Sequence, residues 1–163
     1  MKKYTTLFFD LDNTVLDFNA AEKTAIKGLL DKHGMGGTDE RAARYSAINQ
    51  KYWEMYESGI IEKEQIYWGR FKEFLESEKI SYDYNKLSDD YFYFLSEQHP
   101  LIDGSLDVLM RCRKSGYILC ATTNGVSLTQ HKRISEAGLD KVFDYIVISE
   151  DAGYQKPKKE YFD

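Results

Sequence analysis

The sequence predicts an α/β protein in which an all-helical module interrupts a parallel sheet and its flanking helices. Three observations lead there. A short apolar run at residues 5–9 ends in the acidic string FFDLDNTVLD. After it, a stretch of roughly eighty residues repeats its apolar positions only at helical spacing. Beyond Pro100 the chain alternates helix and strand signals, the rhythm of βα units.

Residues 5–9 form a continuous apolar run rather than an alternating one, as expected of a strand buried on both faces of a parallel sheet. Across residues 19–33, Ala21, Ala25, Ile26, Leu29 and Leu30 recur on one helical stripe, and the string HGMGG stops it. Three more stripes follow: Tyr45, Ile48, Tyr52 and Tyr56, then Tyr67, Phe71, Phe74 and Leu75, then Leu87, Tyr91, Phe94 and Leu95. After Pro100, Leu106, Leu109 and Met110 mark a helix, residues 117–122 a strand, residues 127–137 a second helix and residues 145–148 a second strand. Ser127 followed by Gln130 has the spacing of a capping box. The expected organisation is a split α/β core at residues 1–17 and 98–163 around a helical insert at residues 18–97.

The 163 residues are 42% hydrophobic and 30% charged, with a net charge of −5. Acids and bases are interleaved, so no basic stripe is available for a nucleic-acid polymer. Asp10 and Asp12 interrupt the first apolar stretch before a signal-peptide core is complete, and no apolar run reaches the roughly 20 residues of a spanning helix. A cytoplasmic protein without a membrane partner is expected. Cys112 and Cys120 lack metal-ligand spacing and read as buried thiols. His33, His99 and His131 are scattered and take no catalytic role.

Three strings carry chemistry. The first delivers Asp10 and Asp12 at the C-terminal end of the opening strand, where open α/β sheets form their sites. In extended backbone, residues two apart project to the same side, so both carboxylates can face one reacting group, one as nucleophile and the other as proton donor and acceptor. The second, CATTNG, ends a strand just before a helix, where Thr123, Asn124 and nearby amides can cradle phosphate oxygens. The third, VISEDAGYQKPKKEYF, places Lys156 in a loop after a strand, where an ammonium can offset an anionic site.

In order and spacing these strings resemble the first three motifs of the haloacid dehalogenase-like hydrolases, and the resemblance covers essentially the whole chain. It implies a three-layer, Rossmann-like parallel-sheet core with an inserted α-helical cap. It also implies a magnesium-dependent phosphatase working through an aspartyl-phosphate. By position, Asp10 would be nucleophile and Mg²⁺ ligand. Asp12 would be general acid and base and would offer its backbone carbonyl to the metal. Thr123, Asn124 and Lys156 would bind phosphate, and Thr14 would support the first loop.

The strings TTNGVSLTQHKRISEAGLDKVFDYIVISEDAGYQKPKKEYF and NQKYWEMYESGIIEKEQIYWGRF are similar to the pyrimidine 5′-nucleotidase branch, which implies a nucleoside monophosphate as the small phosphorylated partner. Sugar phosphates and phosphoglycolate are the substrates of neighbouring branches. In the insert, Tyr52, Trp53, Tyr56, Trp68 and Phe71 can stack on a base, although one apolar stripe accounts for most of them as core. A dehalogenase is disfavoured by Asp12, since displacing halide requires no proton donated to an alkoxide.

The family's fourth motif, an acidic pair on a further strand, is expected several dozen residues after Lys156, and the sequence ends at Asp163. Glu150 and Asp151 precede the lysine and do not match that pattern. The expectation is a core lacking its C-terminal part, with an incomplete metal site and an exposed sheet edge open to self-association. A non-catalytic fragment or ligand-binding module is the alternative of a different class.

Overall fold

A computed structural model describes residues 3–162. The chain divides into two compact units, Met1–Ala21 with His99–Asp163, and Glu22–Gln98. In the first unit, β1 (Thr6–Asp10), β2 (Ile118–Thr123) and β3 (Tyr145–Ile148) form a parallel sheet in that order. Asp10 pairs with Thr122, and Thr123 with Ile148, so all three strands bring their carboxyl ends to one edge. This unit contains the helices α5 (Ser105–Lys114), α6 (Ser127–Glu136) and the single turn α7 (Ser149–Ala152), with 3-10 turns at Leu139–Lys141 and Lys159–Tyr161. Its core is Leu11, Val15, Leu16, Leu109, Leu119, Ala121, Ile134, Leu139, Val142 and Phe143. Each large side chain here contributes about 2 kcal/mol by leaving water.

β1 departs from the expectation of burial on both faces. Phe8 is 60% exposed, and among the described residues β1 pairs only with β2. Successive side chains of β1 point to opposite faces, so Leu7 and Phe9 pack against the core while Phe8 faces the uncovered side. Leu106 and Met110 of α5 are exposed as well, and Leu109 alone of that predicted stripe is buried. The cysteines are free, Cys120 buried and Cys112 partly so.

The second unit is built from α2 (Asp39–Glu57), α3 (Lys63–Glu78), α4 (Tyr84–Ser96) and all of α1 (Phe18–Lys32) from Glu22 onward. Tyr45 sits at its centre, with ring centroids 5.0 Å from Phe71, 5.9 Å from Phe74 and 5.4 Å from Tyr91. Of the aromatics weighed for base stacking, Phe71 and Tyr56 are core, Tyr52 and Trp53 are half-buried, and Trp68 is 40% exposed. Gly69 lies inside α3 despite its poor helix propensity. A β-carbon there would lie 2.4 Å from the Tyr52 ring, so glycine sets how closely α2 and α3 pack.

This apolar bundle holds a buried polar network. The Glu22 carboxylate accepts from Ser46 Oγ at 2.5 Å and Asn49 Nδ2 at 2.6 Å, and Arg70 Nη1 donates to Asn49 Oδ1 at 2.7 Å. The Arg70 guanidinium lies 4.7 Å from the Tyr91 ring centroid, within cation–π range. Burial pushes the Glu22 carboxyl above its ordinary value, against the Ser46 and Asn49 hydrogen bonds and the Arg70 charge.

An acid whose pKa is raised by folding favours the folded state fully below its unfolded pKa and loses that contribution as pH rises through the folded one. The melting temperature of the protein is therefore expected to fall as pH climbs from the ordinary glutamate range toward neutrality. Glu22→Gln should flatten that slope. Melting curves of both proteins across this interval test it, and identical slopes would contradict the assignment.

Candidate active site

β1 stays extended only as far as Asp10, after which the chain turns back on itself. The amides of Val15 and Leu16 both donate to the Leu11 carbonyl at 2.9 Å, and Asn13 adopts φ 58°. Asn13 Oδ1 in turn accepts from the Asn19 amide, which ties the turn to the start of α1. Thr14 joins the turn through its amide, which donates to Leu11 O at 3.3 Å, and its hydroxyl makes no hydrogen bond among the described residues. The turn sends the two acids to different partners, in contrast to the simple alternation expected of an extended strand.

Asp10 is exposed at the strand end. Its Oδ1 accepts from the Leu11 amide at 2.9 Å and from Lys156 Nζ at 2.6 Å. Oδ2 accepts no hydrogen bond among the described residues. Lys156 Nζ also donates to the Thr122 carbonyl at 3.2 Å, which fixes the ammonium at the carboxyl ends of β1 and β2. Asn124 positions this lysine through its backbone, with Nδ2 donating to Lys156 O at 3.1 Å and Oδ1 accepting from Lys156 N at 2.9 Å. Of the group predicted to bind phosphate, Asn124 thus engages the lysine loop first.

Asp12 is held from the other side. Arg133 Nη1 donates to its Oδ1 at 2.7 Å and Gln130 Nε2 to its Oδ2 at 2.9 Å. Gln130 Nε2 also donates to Thr123 Oγ1 at 2.8 Å, and its Oε1 accepts from Arg133 Nη1 at 2.8 Å. Arg133 is 0% exposed and Gln130 1%. The structure therefore joins Asp12 to Thr123 through Gln130, and Asp10 to Asn124 through Lys156.

The capping box expected at Ser127 and Gln130 is absent. Val126 is the N-cap residue of α6 with no side-chain cap bond, and the Ser127 amide donates instead to Glu150 Oε2 at 2.6 Å. Satisfied by a carboxylate from α7, the helix start leaves Gln130 to turn inward. Asp151 pairs with His131 at 3.0 Å, so both of these acids are engaged at α6. Tyr161 is a further residue that sequence reasoning missed. Its hydroxyl donates to Val147 O at 2.7 Å and accepts from the Thr123 amide at 3.2 Å, bridging the ends of β2 and β3. Burial pushes its pKa up to about 12, so it remains a neutral donor.

Two hard oxygen donors in the first loop keep open lone pairs, the Asp10 carboxylate and the Asp12 carbonyl, to which no backbone amide donates among the described residues. Among those residues no group of three or more His, Cys, Asp or Glu converges into a metal cage. Two such donors fit Mg²⁺, which is commonly bound by one or two carboxylates with waters and substrate phosphate supplying the rest.

A family model of haloacid dehalogenase-like hydrolases matches residues 4–163. The chain belongs to this family. Among curated relatives, this hydrolase is 41% identical to HAD-hydrolase YfnB of Bacillus subtilis over 99% of its own length and 68% of that protein. It is 31% identical to the pyrimidine 5′-nucleotidase PynA of Streptococcus pneumoniae (98% and 68% covered) and 30% identical to the pyrimidine 5′-nucleotidase YjjG of Escherichia coli (99% and 69% covered). The crystal structure of YfnB bound to magnesium superposes with a TM-score of 0.91 at 40% identity, covering 99% of this chain and 70% of that one. The α/β, Rossmann-like fold of the haloacid dehalogenase-like hydrolases is thus established for this chain. No helix among the described residues is long and apolar enough to cross a membrane.

Proposed function

We propose that this hydrolase cleaves phosphomonoesters through a phosphorylated Asp10, with a pyrimidine nucleoside 5′-monophosphate as preferred substrate. The observation that carries the reading is the Asp10 carboxylate at the end of a parallel strand, 2.6 Å from the Lys156 ammonium and with Oδ2 open. Asp10 Oδ2 attacks phosphorus, the ester bond breaks, and Asp12 passes a proton to the departing alkoxide. Asp12 then takes a proton from water as that water attacks the aspartyl-phosphate, releasing inorganic phosphate and restoring Asp10. Lys156 lies beside the nucleophile to offset phosphate charge, and the Thr123 hydroxyl donates to a phosphate oxygen. The residues suited to hold Mg²⁺ are Asp10, by its carboxylate, and Asp12, by its carbonyl. When bound, the ion offsets the repulsion between a nucleophilic carboxylate and an anionic phosphate.

Residues 22–98 form the compact unit proposed as the cap that sets the choice of leaving group, and residues 1–21 and 99–163 form the core. The nucleotide preference is supported by the two nucleotidase relatives and by the half-buried or exposed Tyr52, Trp53 and Trp68. A panel of phosphomonoesters assayed with magnesium should give a kcat/KM for uridine or thymidine monophosphate at least about tenfold above that for glycerol phosphate or phosphoglycolate, the discrimination one added hydrophobic contact supplies. Equal values would overturn the substrate assignment and favour a small sugar-phosphate phosphatase.

A further inference from the structure

We propose that Gln130 and Arg133 are positioning residues that lock Asp12 and Thr123 into a single unit, so that the proton-transfer group and a phosphate donor are oriented together. The inference rests on the roles given above to Asp12 and Thr123. Gln130 and Arg133 stand three residues apart on α6 and so share a face. That face inverts the usual pattern, with Leu128 83% exposed while Gln130 and Arg133 are buried. Burying an amide and a guanidinium while a leucine faces water costs stability, and the hydrogen bonds they make account for their place.

The network leaves little freedom. Each oxygen of Asp12 has its own donor, Oδ1 from Arg133 and Oδ2 from Gln130. The Gln130 amide spends its two N–H groups on Asp12 Oδ2 and Thr123 Oγ1, while its oxygen accepts from Arg133. Turned over, the amide would set its oxygen against a carboxylate, so the neighbours fix its orientation. Thr123 Oγ1 accepts from Gln130 Nε2 at 2.8 Å and from the Gly125 amide at 3.0 Å. A hydroxyl has two acceptor lone pairs and one proton. With both lone pairs filled, the Thr123 proton is left to donate, as binding a phosphate oxygen requires.

Gly125 makes room for the arrangement. A β-carbon at that position would lie 2.6 Å from Gln130 Cγ and 2.7 Å from Cδ. The backbone there is not among the positive-φ glycines, so space rather than backbone strain selects glycine. Gly125→Ala should therefore displace the Gln130 side chain without deleting it.

The test separates positioning from structure by leaving group. A single-turnover measurement of leaving-group release reads the first chemical step, with an alkyl phosphate that needs protonation and p-nitrophenyl phosphate that does not. Asp12→Asn sets the scale. Gln130→Leu and Gly125→Ala are expected to slow the alkyl ester by roughly 10²-fold and the nitrophenyl ester by less than tenfold, the share a misplaced general acid would forfeit. Replacing Arg133 also disturbs a buried charge, so Arg133→Lys is compared with Arg133→Met and should recover part of the alkyl-ester rate. Melting curves establish that each variant is folded. If Asp12→Asn discriminates between the esters and Gln130→Leu and Gly125→Ala slow both alike or neither, the inference is overturned while the reading of Asp12 stands. If Asp12→Asn itself slows both alike, the acid–base reading fails and the inference falls with it.

Discussion

Asp10→Asn should leave the fold intact and lower phosphatase turnover by roughly 10⁴-fold or more, the scale of loss when a covalent nucleophile is removed. The side chain is exposed at the end of β1, and its Oδ1 accepts from the Leu11 amide and from Lys156 Nζ, hydrogen bonds that an asparagine oxygen also accepts. Folding therefore has little to lose. Chemistry loses the anionic oxygen that attacks phosphorus, and the neutral amide is a far poorer nucleophile. Steady-state kinetics beside a melting curve check both halves, and a folded variant with near wild-type turnover would remove Asp10 from the mechanism.

Lys156→Met is expected to reduce kcat/KM by roughly 10²-fold to 10³-fold, comparable to losing one preorganised electrostatic contact in an active site. The loop should keep its course, because Asn124 holds residue 156 through its backbone N–H and C=O and not through its side chain. What disappears is the ammonium 2.6 Å from Asp10 Oδ1. The nucleophile and the phosphate then meet without that positive charge between them. Lys156→Arg should recover little, since a planar fork does not reproduce a compact ammonium that also reaches the Thr122 carbonyl. Unchanged kcat/KM in Lys156→Met would show that the lysine has no part in the reaction.

Much of this arrangement was legible in the sequence because the strands and helices carry their own periodicity. The strand expected at residues 117–122 forms one residue later, as Ile118–Thr123, and Tyr145–Ile148 forms as expected. The four helical patterns from residue 19 onward became α1 to α4. Asp10 ends β1 and Asp12 follows in its turn because the apolar run stops there, while Lys156 lies in the loop after α7.

The misses share a physical cause, since each depends on what a neighbouring element supplies. Ser127 and Gln130 look like a local cap, and only the fold reveals that Glu150 satisfies the Ser127 amide from α7. Arg133 goes unremarked in the sequence because its partner Asp12, 2.7 Å away in the fold, is far away along the chain. The same holds for Tyr161, which joins two strands. A signal was nevertheless present in α6, where Gln130 and Arg133 share a stripe with Ile134 while Leu128 does not. Phe8 shows the opposite limit, because its apolar character predicts burial and only the fold reveals that its face of β1 is left open while Leu7 and Phe9 pack on the core.

Trapping the covalent intermediate tests the central claim most directly. The magnesium-loaded enzyme is mixed with a phosphomonoester, quenched in acid within one turnover, digested and weighed by mass spectrometry. The peptide containing Asp10 is expected to gain one phosphoryl group, a gain that disappears in Asp10→Asn and persists longer in Asp12→Asn, where the dephosphorylating water lacks its base. Phosphate released at the normal rate with no mass gain on that peptide, or a gain on any other residue, would contradict it.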